Sequence, residues 1–383
     1  MKPQKILLAM SGGVDSSVAA YLLKKQGYEI IGAFMKNWSN TKNDFGECAW
    51  RGERRVALKI AGILDIPLIT LDFEKEYKKY VVGKMFRLYK QGITPNPDID
   101  CNEKIKFPLL IKAAKKLGCD YIATGHYSRI KKIKNHFELH RAKDEAKDQS
   151  YFLYRLKQNE LAKTLFPIGN LTKSQVREIA KKQGFPNHDK KGTVGICFIG
   201  KINLKKFLQK KIKAKKGIIL DPEGNKIGEH DGIYYYTIGQ RTGPRFGIEV
   251  EKQELRQKRW YVARKIKNKN IIIAAPEGHK LNFRKEIFVK DAHWINNNSN
   301  LSLIKTKSIS SEARLSLDWV GGKEIKVLTR IRQVGELLPS KIKKENGKIK
   351  VTLDKAITGV SEGQAIVLYQ GTKCLGGGVI TFQ

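Results

Sequence analysis

The stretch Ile6-Leu7-Leu8-Ala9-Met10-Ser11-Gly12-Gly13-Val14-Asp15-Ser16-Ser17 decides the fold of this 383-residue chain. Ile6–Met10 is an unbroken apolar run that ends in a glycine turn, the pattern of a strand buried on both faces. Beyond the turn, Ser16–Gln26 places Val18, Ala19, Tyr21, Leu22 and Leu23 at helical spacing and stops at Gly27. Strand, glycine loop and helix follow one another without a gap. The two glycines let backbone N–H groups approach a phosphate closely. Ser11, Ser16 and Ser17 add hydroxyl donors, and a helix N-terminus supplies partial positive charge. No lysine follows the glycines, so this is not a Walker loop.

Outward from that stretch the alternation continues. Ile30–Met35 predicts a second strand, and Glu53–Leu64 a helix with Val56, Ala57, Ile60 and Leu64 on one face. Pro67–Leu71, Tyr77–Tyr89, Ile105–Leu117 and Tyr121–Thr124 extend the series. Such a chain predicts an α/β fold with a doubly wound parallel sheet, whose ligands bind outside the carboxyl ends of the strands. From Leu153 to Gln183 the pattern reads as helical, with a start signal at Thr172-Lys173-Ser174-Gln175. Residues 1–200 are expected to form this first domain. Gly217–Leu220, Gly232–Ile238, Trp260–Ala263 and Ile271–Ala274 then read as short strands of a small β-rich central domain over 201–278. Glu286–Val289, Ala313–Leu317, Glu324–Ile331, Lys348–Leu353 and Gln364–Tyr369 predict a C-terminal β-barrel over 279–383.

Composition narrows the partners. Hydrophobic residues make up 41%, enough for packed cores, which excludes a disordered chain. Lys and Arg number 74 against 37 acidic residues, a net charge of +37 that favours a polyanion, with nucleic acid ahead of an acidic membrane. A gene of biased base composition produces the same surplus, so charge alone assigns no partner. No apolar run reaches the roughly 18 residues of a membrane span, and the N-terminus lacks the pattern of a signal peptide. The five cysteines are odd in number and never spaced as CxxC, which argues against a disulfide framework or zinc ribbon. The expectation is a cytoplasmic protein with free thiols and no resident metal.

Two cysteines stand in unusual surroundings. Cys101 closes Thr94-Pro95-Asn96-Pro97-Asp98-Ile99-Asp100-Cys101-Asn102, where two prolines stiffen the loop and a helix is expected to begin just after the thiol. A helix N-terminus lowers a thiol pKa, whereas Asp98 and Asp100 raise it, so the resting state of Cys101 stays open. Cys197 follows Lys190-Lys191-Gly192-Thr193-Val194-Gly195-Ile196 and precedes Phe198-Ile199-Gly200. There the lysines favour thiolate, and the apolar neighbours equally suit a packed thiol.

The loop Ser11–Ser17 resembles the SGGxDS motif of the PP-loop ATP pyrophosphatase superfamily, whose members adenylate an acceptor oxygen. The larger set of segments is similar to the tRNA-specific 2-thiouridylase family. It comprises SGGVDSS at 11–17, TPNPDIDCNEKIKF at 94–107, ATGHYSR at 123–129, KDQSYFL at 147–153, FPIGNLTKSQVREIA at 166–180, GICFIG at 195–200 and YTIGQRTG at 236–243. The resemblance implies an enzyme that uses ATP with Mg²⁺ to adenylate the C2 oxygen of the wobble uridine of tRNA. Sulfur then comes from a cysteine persulfide, here on Cys197, and Cys101 closes a transient disulfide with it. Asp98 matches a carboxylate that shuttles a proton. Ala9, Met10, Ser11, Gly12, Gly13, Val14, Asp15, Ser16, Met35 and Gly125 match ATP contacts. Asn96, Pro97 and Asp98 match the surroundings of the flipped base. His126, Lys147, Asp148, Gln149, Arg330, Ile331 and Gln364 match tRNA contacts. The implied partners are tRNA and a persulfide sulfur-carrier protein or cysteine desulfurase, with the enzyme acting as a monomer.

Two departures from the family pattern stand out. Gly192-Thr193-Val194 replaces an Asp-Ser-containing run before Cys197, and Ile331 replaces an aromatic residue within Arg330-Ile331-Arg332-Gln333. The competing readings are another PP-loop adenylating enzyme, which needs no second cysteine in a proline-stiffened loop, and a non-catalytic RNA-binding protein, which needs neither cysteine nor an intact loop.

Overall fold

The computed structural model describes residues 3–39, 48–190, 197, 203–242, 249–250, 259–296, 324–333, 335–345 and 348–382. The first strand, β1 (Lys5–Ala9), runs into α1 (Val14–Lys25), followed by β2 (Glu29–Lys36), α2 (Ala49–Ile63) and β3 (Leu68–Asp72). Helices α3 (Glu74–Tyr77), α4 (Gly83–Lys90), α5 (Pro97–Cys101) and α6 (Phe107–Lys116) lead to β4 (Tyr121–Ala123). The hairpin β5 (Ser128–Ile133) and β6 (His136–Arg141) precedes α7 (Gln158–Leu161), β7 (Thr164–Leu165) and α8 (Lys173–Lys182).

The first sheet has the order β3-β2-β1-β4-β7 with every pairing parallel. Its two faces follow from the period of two along β1. Ile6, Leu8 and Met10 pack with Val18, Ala57, Ile60, Val176 and Ala180 of α1, α2 and α8. Leu7 turns to the other face, among Tyr77, Val81, Met85, Phe107 and Leu110. Helices thus cover both sides, as the alternating sequence predicts. Wide π-type turns at Lys78–Val82 and Asn102–Lys106 join α3 to α4 and α5 to α6, and the second begins directly after Cys101. Turns of this kind recur at functional sites.

The helical reading of 153–183 holds only for α7 and α8. Between them Thr164 and Leu165 pair with β4 as the sheet's edge, and Pro167 and Gly169 prevent a continuous helix. Gly169 packs so closely that a Cβ there would lie 1.9 Å from the Ser128 carbonyl oxygen. The start signal of α8 is as expected: Thr172 accepts from the Gln175 N–H at 3.3 Å, and the Gln175 side chain accepts from the Thr172 N–H at 2.9 Å.

The central unit contains α9 (Leu204–Gln209) and the strands β8 (Gly217–Leu220), β9 (Lys226–His230), β10 (Arg241–Thr242), β11 (Glu249–Val250), β12 (Trp260–Ile266) and β13 (Ile271–Pro276). They form one sheet ordered β10-β12-β13-β8-β9-β11. The strand expected over Gly232–Ile238 is instead a short 3₁₀ turn, Ile233–Tyr235. Gly232 has φ +148, and three tyrosine hydroxyls donate out of the segment. Tyr234 reaches the Lys213 carbonyl at 2.5 Å, Tyr235 the Ile212 carbonyl at 2.5 Å, and Tyr236 the Asp231 carboxylate at 2.7 Å. These anchors fix an irregular path that β propensity does not encode.

The last section forms β14 (Phe283–Trp294), β15 (Ile325–Arg330), β16 (Leu338–Glu345), β17 (Lys348–Thr358), β18 (Ala365–Gln370) and β19 (Lys373–Thr381). Pairing of β14 with β19 closes these six strands into a barrel around Ile287, Ile342, Val351, Ile366 and Ile380. The strand expected at Ala313–Leu317 lies outside the described residues. The barrel is extended by the hairpin of the first unit: β6 pairs with β19 through His140↔Lys373 and Leu139↔Cys374, so β5 and β6 add two strands to the barrel's sheet. Among the described residues no helix is long and apolar enough to cross a membrane.

Candidate active site

The glycine loop leaves β1 at its carboxyl end. Gly12 takes φ +74, and a Cβ there would meet the Glu53 carbonyl oxygen at 2.3 Å, so the position requires glycine. Gly13 is the N-cap of α1 and leaves the first turn without a side-chain cap. Hydroxyls rigidify the loop from within. Ser16 Oγ donates to the Gly13 carbonyl at 2.9 Å and accepts from the Ser11 N–H at 3.2 Å, while Ser17 Oγ donates to the same carbonyl at 3.1 Å. Gly125, just past β4, packs on this turn, where a Cβ would lie 2.7 Å from the Ser16 nitrogen. Met35, near the carboxyl end of β2, is buried in the same sheet. Uncapped first-turn N–H groups, held on a close-packed glycine turn, fit the phosphates of a nucleotide.

Several loop partners carry no signal in the motif. Asp15 accepts from Tyr127 Oη at 2.8 Å and from Lys173 Nζ at 2.6 Å. Asn187 Nδ2 donates to the Gly12 carbonyl at 3.0 Å and to Ser17 Oγ at 3.1 Å. Lys190, expected beside Cys197, is paired with Glu53 at 2.5 Å and so belongs to the glycine loop. No group of three or more His, Cys, Asp or Glu among the described residues is arranged to hold a metal ion.

The two cysteines come together. Cys101 Sγ lies 4.0 Å from Cys197 Sγ, although 96 positions separate them in the chain. That is contact distance, short of the roughly 2 Å of a disulfide. Cys101 is not at the start of a helix, contrary to the sequence reading. Asn96 accepts from the Ile99 N–H at 3.4 Å and Pro97 opens α5, so the helix begins before Cys101 and Cys101 closes it. With no helix N-terminus to lower it, burial pushes the Cys101 thiol well above its ordinary pKa. Cys197 is half-buried and shifts the other way. The hydrogen bond from Cys101 lowers it first, and the Lys106 charge helps against desolvation. Asp98 accepts from the Cys197 N–H at 2.8 Å, and Tyr77 Oη donates to the Cys197 carbonyl at 2.5 Å. Burial raises the Asp98 carboxyl above the usual range, opposed by that N–H and by Lys106. Iodoacetamide labelling of Cys197 is therefore expected to rise through a midpoint below that of an ordinary cysteine. A Cys101→Ala substitution removes the S–H donor and moves the midpoint up; an unmoved midpoint would contradict this account.

Of the residues expected to touch tRNA, Lys147 is exposed, Gln149 and Gln364 are half-buried, and His126, Asp148, Arg330 and Ile331 are buried. His126 is buried, bonded to Thr124 Oγ1 at 2.7 Å, stacked near Phe107 and 3.3 Å from Lys106 Nζ; desolvation and that lysine hold it neutral. Asp148 is buried and pairs with Arg330 at 2.6 Å, with side chains 0% and 5% exposed, while also accepting from the Ala142 and Ser150 N–H groups. Gln149 accepts from the Tyr127 N–H at 2.9 Å. Ile331 is buried, and its carbonyl accepts from Tyr151 Oη. Gln364 Nε2 donates to the Thr94 and Pro95 carbonyls, both at 3.0 Å. Asp148, Arg330, Ile331 and Gln364 thus line the seam between the barrel and the first unit, and Gln364 grips the strap that carries Asn96, Pro97 and Asp98. Residues Gly192, Thr193 and Val194 lie outside the described residues.

Three family models match the chain end to end. They are a tRNA methyl transferase HUP domain over residues 4–201, a tRNA methyl transferase PRC-barrel domain over 205–276, and an aminomethyltransferase beta-barrel domain over 284–380. Full-length relatives carry a more specific name. The chain is 40% identical over all of its length to "tRNA-specific 2-thiouridylase MnmA" of Nitrosomonas eutropha, of which it covers 99%. It is 39% identical over 98% of its length to the protein of that name from Listeria monocytogenes, covering 94% of it. For the Coxiella burnetii protein of that name the figures are 40%, 98% and 98%. With a glycine loop fit for nucleotide phosphates and two thiols in contact beyond it, this chain belongs to the tRNA-specific 2-thiouridylase family.

Proposed function

We propose that the chain converts the wobble uridine of tRNA to 2-thiouridine, using ATP with Mg²⁺ and releasing AMP and pyrophosphate. The observation that carries the reading is the pair of thiols 4.0 Å apart, one eased toward thiolate and the other held protonated. Residues Ala9–Ser16, with Met35 and Gly125, bind the nucleotide at the carboxyl ends of β1, β2 and β4. Asn96, Pro97 and Asp98 surround a base extruded from its stack, since the reacting C2 edge must be exposed.

The chemistry divides between the thiols. Adenylation turns the uridine O2 into a leaving group. Cys197, the more acidic thiol, accepts a sulfane sulfur from a persulfide carrier or cysteine desulfurase. The terminal sulfur attacks C2, the C2–O bond breaks, and AMP departs with that electron pair. Cys101 then gives up its proton and attacks Cys197 Sγ. The persulfide S–S bond breaks, its electrons stay with the sulfur on C2, and a Cys101–Cys197 disulfide forms. A thiol reductant must restore the pair before the next turnover. Asp98, with its raised pKa and its bond to Cys197 N–H, takes and returns the proton. His126, Lys147, Asp148, Gln149, Arg330, Ile331 and Gln364 serve the RNA side, Lys147 by direct contact and the seam residues by shaping the surface between barrel and strap. The enzyme acts as a cytoplasmic monomer of three domains.

Nucleoside mass spectrometry of unmodified tRNA incubated with the protein, ATP, Mg²⁺ and a persulfide donor tests the reading. The expected product is a wobble uridine heavier by one oxygen-to-sulfur exchange, formed only with ATP. AMP without thionucleoside in the presence of a competent donor would point to another adenylating enzyme, and neither product would leave an RNA-binding protein.

A further inference from the structure

Beside Gly92, where the three units meet, a cavity of about 150 Å³ opens among Arg264, Lys265, Lys267, Arg284, Glu362 and Phe382. Four cations face one carboxylate. Lys267 takes that carboxylate at 2.5 Å, and Lys265 Nζ donates to the Gly92 carbonyl at 2.9 Å. Arg264 and Arg284 have no acidic partner among the described residues. Arg284 instead lies over Phe382, its guanidinium carbon 3.6 Å from the ring centre. Burial and Lys267 push Lys265 down to about 7, and burial with Arg264 lowers Arg284. Burial is the larger cause of each shift, and the neighbouring cation adds to it. A bound anion would supply the missing charge.

Size and access narrow the anion. The cavity is well under the roughly 300 Å³ at which drug-sized ligand sites begin, so it takes a single phosphate group rather than a nucleotide. Arg264 is exposed while Arg284 and Lys265 are half-buried, so the pocket is entered from solvent. A planar guanidinium held against an aromatic ring is preorganised for bidentate contact with phosphate oxygens. The pocket also adjoins the strap. Gly92, gripped by Lys265, lies two residues before Thr94, whose N–H donates to the Glu362 carbonyl at 3.2 Å and whose carbonyl accepts from Gln364.

We infer that this pocket clamps one backbone phosphate of the substrate RNA between Arg264 and Arg284, an inference that rests on the tRNA-thiolating reading above. The clamp sets the register of the RNA against the strap that carries Asp98 and Cys101. A free phosphate ion would satisfy the same chemistry, so the test separates the two sources.

The test compares tRNA affinity across a KCl series for the full-length protein, an Arg264→Ala variant and an Arg264→Ala/Arg284→Met variant. Arg264 is exposed, so the single variant keeps the fold, and methionine preserves the stem over Phe382. The double variant is expected to bind tRNA at least about tenfold more weakly, with the log–log salt slope shallower by about one unit. Unchanged affinity and slope, with wild-type thiolation intact, would overturn the clamp and leave the enzymatic reading standing. If inorganic phosphate raises the Tm of the wild type but not of the double variant, while tRNA affinity is unchanged, the pocket belongs to free phosphate and the inference fails.

Discussion

A Cys197→Ser protein is expected to adenylate tRNA and release pyrophosphate in a single turnover, while incorporating no sulfur and leaving AMP bound to the uridine oxygen. The loss should exceed about a thousandfold, the scale seen when a covalent nucleophile is removed. The two outcomes separate because the parts are built from different elements. The phosphate loop hangs on β1 and α1, whereas Cys197 is held by Asp98 and Tyr77 through its own backbone N–H and carbonyl. Serine keeps both backbone contacts, so the variant removes the sulfur carrier and little else. A Cys101→Ser protein should stop one step later, after the C2–S bond forms, and trap an enzyme–RNA adduct. Full thiolation by the Cys197→Ser protein would sink the assignment of Cys197, and unimpaired turnover by the Cys101→Ser protein would sink the disulfide step.

The second large effect belongs to stability. Arg330→Ala leaves Asp148 buried at 0% exposure with its ionic partner gone. Breaking a buried ion pair from one side costs about 3–5 kcal/mol. Urea denaturation should show that loss, and protease cleavage should appear at the seam between barrel and first unit. An Arg330→Met/Asp148→Asn pair should recover much of it, because no uncompensated charge remains. A loss below about 1 kcal/mol for Arg330→Ala would mean that the pair contributes no more than a surface one.

Much of this arrangement is legible in the sequence because short-range chemistry dictates it. Gly12 and Gly13 between an apolar strand and a helix leave few alternatives to a phosphate loop, and the alternation of β1 fixes which helices cover which face. Cys101 and Cys197 are flagged by their surroundings and by the family pattern. What escapes is whatever depends on partners distant in sequence. Nothing near Asp148 announces that Arg330, 182 positions on, will bury it. The helix start before Cys101 escapes because Pro95 and Pro97 read as loop stiffeners, whereas Pro97 is the first helical residue and Asn96 its cap. The Gly232–Ile238 segment has strand composition, but its tyrosine hydroxyls find carbonyls and a carboxylate outside any ladder. The hairpin β5–β6 alternates weakly, with Lys131, Lys132 and Lys134 along it, and turns at Lys134 with φ +49 rather than at an Asn-Gly pair.

That hairpin constrains how the protein is made. Its second strand, β6, meets β19, and His140 Nδ1 is bonded to Thr372 Oγ1 across 232 positions of chain. On the ribosome β6 emerges long before the strand that will cover it, and meanwhile it shows an open ladder of amides and carbonyls. The nascent first domain must wait with a sticky edge until the barrel strand is synthesised. Premature termination within the barrel would therefore release an aggregation-prone fragment, even though every residue of the glycine loop and both thiols had already been made.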